Sequence, residues 1–355
     1  MRKRLRELGI SIGRLPPGKH NAVTDVPGVL VGHSTLIYDE PRIARTGVTV
    51  ILPREGAIWK DHTFAATHTL NGSGEMTGVH WIAESGMLTS PIAITNTAQV
   101  GTVHEALNSY AYEFGWTDVW ELPVVAETWD GWLNDMAAFH VAKDHVYQAI
   151  ESARSGPVAE GNVGGGTGMI CHEFKGGIGT ASRMIASPSG TYTVGALVQA
   201  NYGAREDLRV DGVPVGREIT IEKVPSGRAE PPGGSSIIVI LATDAPLVHS
   251  QCKRLAQRAT IGLARVGGMG HHGSGDIFLA FATGNQLVKD TQKPYVLQML
   301  PNDQLNGFFL GVVEAAEEAI LNALTAAETM TGLKGRIAHE LPLDELQRIM
   351  ERKRL

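Results

Sequence analysis

Two adjacent serines, Ser235 and Ser236, stand where a Pro/Gly-rich stretch runs into the apolar segment IIVIL. A serine hydroxyl in such a turn can approach the preceding carbonyl, and glycine lets the backbone adopt the strained geometry that an N→O acyl shift requires. Cleavage before Ser236 would leave a free α-amine beside its own hydroxyl. Because an α-amine has a pKa of about 8, it could then act as general base for that hydroxyl. The alternative interpretation is an ordinary turn in which both serines cap a core strand.

A further hydroxyl and carboxylate, Ser274 and Asp276, begin a predicted strand in the segment SGDIFLAF. One residue separates them, so their side chains point to the same face of that strand. A hydroxyl beside a carboxylate can pass a proton to or from a nucleophile. On the spacing alone, a plain Ser/Asp turn is the favoured interpretation.

Acidic and aromatic residues are interleaved in PVVAETWDGWLND (123–135), directly after a predicted strand. Carboxylates beside aromatic rings suit recognition of a small cation, because an ammonium is held both by charge and by the ring faces. The candidates for such a role are Glu127 and Asp130 beside Trp129 and Trp132. The alternative is a solvated loop that is anchored by its two tryptophans.

A glycine-rich loop, GGGTG (164–168), superficially resembles a phosphate-binding loop. It lacks the Gly-Lys-Ser/Thr ending of a P-loop, and no long strand clearly leads into it. The loop is therefore expected to bring its backbone close to another strand or to a substrate. In the second case Gly165 and Gly166 would contact the substrate.

The segments that must position these groups predict a mixture of strands and helices. Short Val/Ile/Thr-rich runs bounded by Gly, Pro or Asp predict strands at 28–36, 46–52, 64–70, 91–95, 122–127, 176–185, 192–200, 237–243 and 276–283. Helical periodicity is present at 78–86, 97–114, 143–153, 247–265, 303–330 and 343–353. This order indicates α/β or α+β layers rather than a helical bundle.

The clearest helix, 303–330, has an apolar stripe at three- and four-residue spacing. Glu314, Glu317 and Glu318 share its other face, as an amphipathic helix requires. The best candidate for an exposed linker is 222–234, EKVPSGRAEPPGG, which runs directly into the most apolar predicted strand.

Composition excludes several classes of protein. The 355 residues carry a net charge of −6, which argues against a nucleic-acid partner, and no apolar stretch approaches the length of a membrane span. The two cysteines are too few for a disulfide framework and suit a reducing compartment, so we expect a cytoplasmic protein. The histidine pairs 62/68 and 271/272 have no third ligand at a recognisable spacing, so no metal or cofactor is expected.

Taken together, these segments resemble the DmpA/BapA family of serine aminopeptidases, which comprises L-aminopeptidase/D-esterase-amidases and β-aminopeptidases. The resemblance spans nearly the whole chain, through DVPGVLVGH, TGVTVILP, NGSGEMTG, PVVAETWDGWLND, GNVGGGTGM, KGGIGTASR, LVQANYG, SSIIVILATDAPL and SGDIFLAF.

The resemblance implies an α+β fold, the four-layer αββα sandwich shared with ornithine acetyltransferases. It also implies one catalytic domain, 1–355, that cuts itself into chains 1–235 and 236–355 and assembles as a homotetramer. Ser236 matches the family's nucleophile, with Ser235 before it where Gly or Asn is usual. The catalytic partners implied are Ser274, Asp276 and, at the oxyanion site, Asn201.

The family's substrate pocket falls around 127–134, which adds Asn134 to the candidates. Trp129 or Trp132 stands where a tyrosine is expected. The function implied is a self-cleaving aminopeptidase or amidase that releases small N-terminal residues from peptides, amides or esters. Two alternatives are an acyltransferase that passes the same acyl group to an amine, and a non-catalytic nucleotide-binding protein that uses the 164–168 loop.

Overall fold

The computed structural model describes residues 2–55, 58–116, 121–226, 235–289 and 291–354. Its helices are α1 (Val79–Ser85), α2 (Val100–Glu113), α3 (Lys143–Glu151), α4 (His249–Val266), α5 (Asn306–Ala326) and α6 (Leu343–Arg354). Its strands are β1 (Leu30–Tyr38), β2 (Ala44–Leu52), β3 (Asp61–Gly72), β4 (Met87–Leu88), β5 (Ile92–Asn96), β6 (Val124–Thr128), β7 (Ile170–Cys171), β8 (Phe174–Lys175), β9 (Gly177–Ser187), β10 (Gly190–Asn201), β11 (Ser236–Thr243), β12 (Gly275–Val288), β13 (Met330–Thr331) and β14 (Ile337–Ala338).

Two large sheets lie between two layers of helices. The smaller sheet has the strand order β1-β2-β5-β6, and the larger has the order β4-β3-β12-β11-β10-β9. Helices α2 and α3 pack on the smaller sheet, and α4 and α5 pack on the larger. The described residues therefore form the αββα sandwich that the family resemblance implies, in agreement with the layers that the order of predicted elements indicates.

Strand β11 is buried on both faces, which explains its uninterrupted apolar sequence. Ile238 and Ile240 belong to the core between the two sheets, whereas Ile237 and Val239 belong to the core beneath α4 and α5. Successive side chains of a strand point to opposite faces, so a strand in the middle of four layers needs apolar residues at every position.

The register of the larger sheet brings three predicted site segments to one end of β11. Strand β11 pairs antiparallel with β10, with Ser236 opposite Asn201. On its other side it pairs parallel with β12, with Ser236 opposite Gly275. The first residue of β11 is thus flanked by Asn201 on one side and by the Ser274–Asp276 segment on the other.

Helix α5 differs from its sequence prediction in length and in the environment of its acidic residues. It spans Asn306–Ala326 rather than 303–330, and Glu314, Glu317 and Glu318 are buried instead of solvated. Arginines from neighbouring segments cover that face, since Arg183 lies 3.1 Å from Glu314 and 2.6 Å from Glu318. A buried carboxylate is tolerated only when it is paired in this way.

Most of the predicted linker, 227–234, lies outside the described residues. Within the described ranges, no helix is long and apolar enough to cross a membrane.

Candidate active site

One backbone amide, that of Gly275, contacts both Ser236 and the carbonyl of the peptide bond before it. The Gly275 N–H donates to the Ser236 hydroxyl oxygen at 3.1 Å and also to the Ser235 carbonyl oxygen at 3.2 Å. Both serines are almost fully buried. A donor aimed at a carbonyl oxygen stabilises the negative charge that develops there when a nucleophile attacks its carbon. The Ser236 hydroxyl and the Ser235 carbonyl therefore converge on the same amide.

Ser274 and Asp276 flank that amide in the chain. The Ser274 hydroxyl donates to Asp276 Oδ1 at 2.6 Å, a short hydrogen bond of the kind formed with a charged acceptor. Burial raises the pKa of Asp276, while the Ser274 hydroxyl, the Ile237 backbone and His271 act in the opposite direction. Asp276 Oδ2 is buried and has no hydrogen-bond partner among the residues with described positions. The pair can thus accept or relay a proton next to Ser236.

Asn201 joins three segments around the start of β11. Its amide nitrogen donates to the Trp129 carbonyl at 2.9 Å, and its amide oxygen accepts the Ile170 N–H at 2.9 Å. The side chain is fully buried. Its amide nitrogen carries a second hydrogen beyond the one given to Trp129, so the side chain can donate one further hydrogen bond.

A cavity of about 390 Å³ opens onto Ser236. It is lined by residues of five separate segments, namely Ser73, Gly74, Glu75, Thr97, Glu127, Trp129, Ser236 and Gly273. The cavity therefore brings together the candidate nucleophile with one carboxylate and one tryptophan from the 123–135 segment.

The Glu127 carboxylate is buried at this cavity and is held by two donors. Its Oε1 accepts the Glu75 N–H at 3.0 Å, and its Oε2 accepts the Thr97 hydroxyl. Burial raises the pKa of Glu127, and the two donors oppose that shift. Each oxygen retains lone pairs, so the carboxylate can also accept an ammonium group.

The other candidates from the 123–135 segment lie away from the cavity. Asp130 is fully buried, and its Oδ1 accepts the Asn134 amide at 3.1 Å. Burial raises the pKa of Asp130 to about 7. Asn134 also accepts the Arg45 N–H at 3.0 Å, and the Trp132 ring stacks 4.0 Å from the Arg336 guanidinium. These three side chains hold the loop in shape.

The glycine-rich loop packs against protein rather than lining the cavity. A Cβ at Gly165 would lie 2.3 Å from Gln199 Oε1, and one at Gly166 would lie 2.4 Å from the Ile178 nitrogen. Contacts this short are impossible for a side chain, so both positions require glycine for close packing. Within the described part of the chain, no group of three His, Cys, Asp or Glu side chains could hold a metal ion.

Reasoning from the residues missed Glu75, Thr97 and Gly275. Glu75 belongs to the NGSGEMTG segment, whose glycines allow a close approach to β12. A Cβ at Gly74 would lie 3.0 Å from Gly275 Cα, so this turn is pressed against the strand that follows Ser274. The sequence feature that could have indicated Glu75 as a site residue is this glycine-rich turn at the end of a strand.

The fold and the site define a class of enzyme, the serine aminopeptidases that use a variant of the Ntn-hydrolase fold. The structure of "l-aminopeptidase d-ala-esterase/amidase" from Ochrobactrum anthropi, described as a prototype of that class, matches with a TM-score of 0.92 and 42% identity over 99% of this chain and 98% of its own. A β-aminopeptidase from Burkholderia sp. matches with a TM-score of 0.92 and 51% identity over 99% of both chains.

The chain belongs to peptidase family S58, whose family model matches residues 21–338. Among curated relatives, the β-peptidyl aminopeptidase BapA of Sphingosinicella microcystinivorans is 46% identical over 99% of this chain and 92% of its own length. BapA of Sphingosinicella xenopeptidilytica is 42% identical over 98% of this chain and 91% of its own length. The protein is a hydrolase, a serine aminopeptidase acting on peptide or amide substrates, and the acyltransferase and nucleotide-binding alternatives are not favoured.

Proposed function

We propose that the chain cuts itself between Ser235 and Ser236, and that the new N-terminal serine then releases N-terminal residues through an acyl ester. The observation that carries this proposal is the Gly275 N–H, which donates to both the Ser235 carbonyl and the Ser236 hydroxyl. That contact favours the Ser236 hydroxyl as the attacking group and the Ser235 carbonyl as its target. The products are chains 1–235 and 236–355, which stay together as one catalytic unit.

The cleavage proceeds through an ester. The Ser236 oxygen attacks the Ser235 carbonyl carbon, the peptide C–N bond breaks, and the hydroxyl proton moves to the released nitrogen. Water then hydrolyses the ester, which leaves a carboxyl group on Ser235 and restores the Ser236 hydroxyl. Ser236 now carries a free α-amine within reach of that hydroxyl.

The same groups act on a substrate. The α-amine of Ser236 takes the hydroxyl proton as the oxygen attacks the scissile carbonyl, and it returns the proton to the leaving amine. The Gly275 N–H and the Asn201 amide stabilise the oxyanion. Ser274 and Asp276 hold the α-amine in position, and water completes the cycle by hydrolysing the acyl ester.

Substrates are small aminoacyl amides, esters and peptides with a free amine, among them β-aminoacyl compounds. Glu127 is buried beside the cavity, so an ammonium that binds there restores charge balance to a buried carboxylate. Asp130, which lies off the cavity, is not proposed to bind the amine. The names of the Sphingosinicella and Burkholderia relatives support the β-amino preference.

We further propose a homotetramer of the processed chains in the cytoplasm. Both cysteines, Cys171 and Cys252, are buried and unpaired, as is usual in a reducing compartment. Sedimentation and cell fractionation test these two points.

The function is tested with Ser236→Ala and the matched control Ser235→Ala. Ser236→Ala is expected to give one uncut, inactive chain on a denaturing gel, whereas Ser235→Ala still cuts and the smaller chain begins with SIIVIL. Wild-type enzyme is expected to hydrolyse alanyl and β-alanyl p-nitroanilides and to leave their N-acetylated forms intact. A smaller chain that begins with SSIIVI, or full activity of an uncut chain, would contradict the proposal.

A further inference from the structure

The cavity at Ser236 contains a second carboxylate that the proposed reaction does not use. Glu75 lines the cavity together with Glu127, but its side chain is exposed whereas that of Glu127 is buried. No described residue donates a hydrogen bond to the Glu75 carboxylate or forms an ion pair with it. The Glu75 charge nevertheless acts on the site, because it contributes to raising the pKa of Glu127.

The backbone that carries Glu75 is fixed beside the reacting groups. The Glu75 N–H donates to Glu127 Oε1 at 3.0 Å, so the two acidic side chains start from neighbouring points of the cavity wall. On one side, the Ser73 N–H donates to the Ser274 carbonyl at 3.1 Å. On the other, the Thr77 N–H donates to the Val125 carbonyl at 2.9 Å. The anchored turn therefore fixes the point beside the cavity from which the Glu75 side chain starts.

The two carboxylates on this wall of the cavity carry two negative charges, and a single substrate ammonium balances only one of them. In a bound substrate, the ammonium lies at Glu127 and the scissile carbonyl lies at Ser236. The side chain of the N-terminal residue branches from the chain between these two groups and points away from both. A neutral side chain leaves Glu75 with water as its only partner. A side chain that ends in a cation can reach the second carboxylate and relieve its repulsion with Glu127.

We propose that Glu75 is a specificity-determining residue that favours substrates whose N-terminal residue carries a second positive charge on its side chain. The inference rests on the proposed function of this cavity and adds a substrate class to it. Because Glu75 is exposed, its contribution is screened by salt and amounts to several-fold rather than orders of magnitude in kcat/KM.

The test compares lysyl and norleucyl p-nitroanilides, whose side chains have the same number of carbon atoms and differ in charge. Wild-type enzyme is expected to favour the lysyl substrate in kcat/KM by about three- to tenfold at low ionic strength, with a smaller ratio at about 0.5 M salt. Glu75→Gln should bring the ratio to about one. Any change that this variant causes in the pKa of Glu127 acts on both substrates and cancels in the ratio.

Glu84→Gln is the matched control, since Glu84 is an exposed residue of α1 that does not line the cavity. It removes the same charge and should retain the wild-type ratio. Equal rates for the two substrates in wild type, no hydrolysis of either, or an unchanged ratio in Glu75→Gln would overturn the inference. Hydrolysis of alanyl p-nitroanilide by the same enzyme would leave the proposed function standing. A charge preference found only in the leaving residue, between alanyl-lysinamide and alanyl-norleucinamide, would also overturn the inference. Failure to hydrolyse any free-amine substrate overturns both proposals.

Discussion

At the scale of single residues, burial and hydrogen bonding act in opposite directions on Glu127. Burial disfavours the charged carboxylate, whereas the Thr97 hydroxyl and the Glu75 N–H favour it. Only the ionised form attracts a substrate ammonium. If Glu127 binds the substrate amine as proposed, its pKa sets the lower pH limit for binding substrates with a free amine.

Thr97→Val is expected to move that limit to higher pH. The hydroxyl is one of the two donors that lower the pKa of Glu127 against the effect of burial. Without it, the pKa of Glu127 rises and the carboxyl becomes protonated at a higher pH. The acid limb of kcat/KM should shift upward, while the rate on the alkaline side of that limb changes little. Thr97→Ser retains the hydroxyl and should keep the wild-type profile. An unmoved acid limb in Thr97→Val would remove Glu127 from amine binding.

At the scale of elements, the glycine-rich loop shows how a conspicuous motif can serve packing. Gly165 and Gly166 pack against Gln199 and Ile178, whose atoms leave no space for a Cβ at either glycine. The loop contains no P-loop lysine. Its role is to let the strands of the two sheets approach each other closely.

Gly166→Ala is expected to destabilise the protein by roughly 1–3 kcal/mol, the usual cost of overpacking a filled interior. Gly101→Ala is the control, because a Cβ at that position of α2 meets nothing within 4 Å. Alanine there should stabilise the helix by about 0.5–1 kcal/mol. Chemical denaturation measures both values, and equal effects of the two changes would contradict the packing interpretation.

The sequence was most informative where a local pattern sets the structure. The apolar run of β11 and the Ser274–Asp276 spacing are local, and both predicted their geometry. The burial of Glu318 was not predictable, because helical periodicity defines a polar face without showing that Arg183 will cover it. The approach of Glu75 and Thr97 to Glu127 likewise depends on how separate segments pack, which no local pattern encodes.

At the scale of the whole molecule, buried acids couple stability to pH. Burial raises the folded-state pKa of Asp130 to about 7, above the value of an aspartate in the unfolded chain. The folded protein therefore binds this proton more tightly than the unfolded chain does. The resulting stability is fully present below the unfolded-state pKa and is lost as the pH rises through about 7.

Asp130→Asn should flatten this dependence. The wild-type Tm is expected to fall between about pH 4 and about pH 7, the window between the unfolded-state and folded-state pKa values of Asp130, and Asn at this position should weaken the fall. Glu160, whose pKa burial also raises to about 7, accounts for part of the slope that remains. Thermal unfolding across this range provides the measurement, and parallel curves for the two proteins would contradict the assignment.

The Gly275 amide has a kinetic consequence for maturation. If the chain is cut before Ser236 as proposed, each molecule already contains its first substrate, since the Gly275 amide engages the chain's own Ser235 carbonyl. Self-cleavage is then a unimolecular reaction, and its half-time is independent of protein concentration. Under the same proposal, the Ser235 carbonyl keeps an external carbonyl away from Ser236 until that single turnover is complete, so an uncut molecule is expected to be latent however much peptide surrounds it.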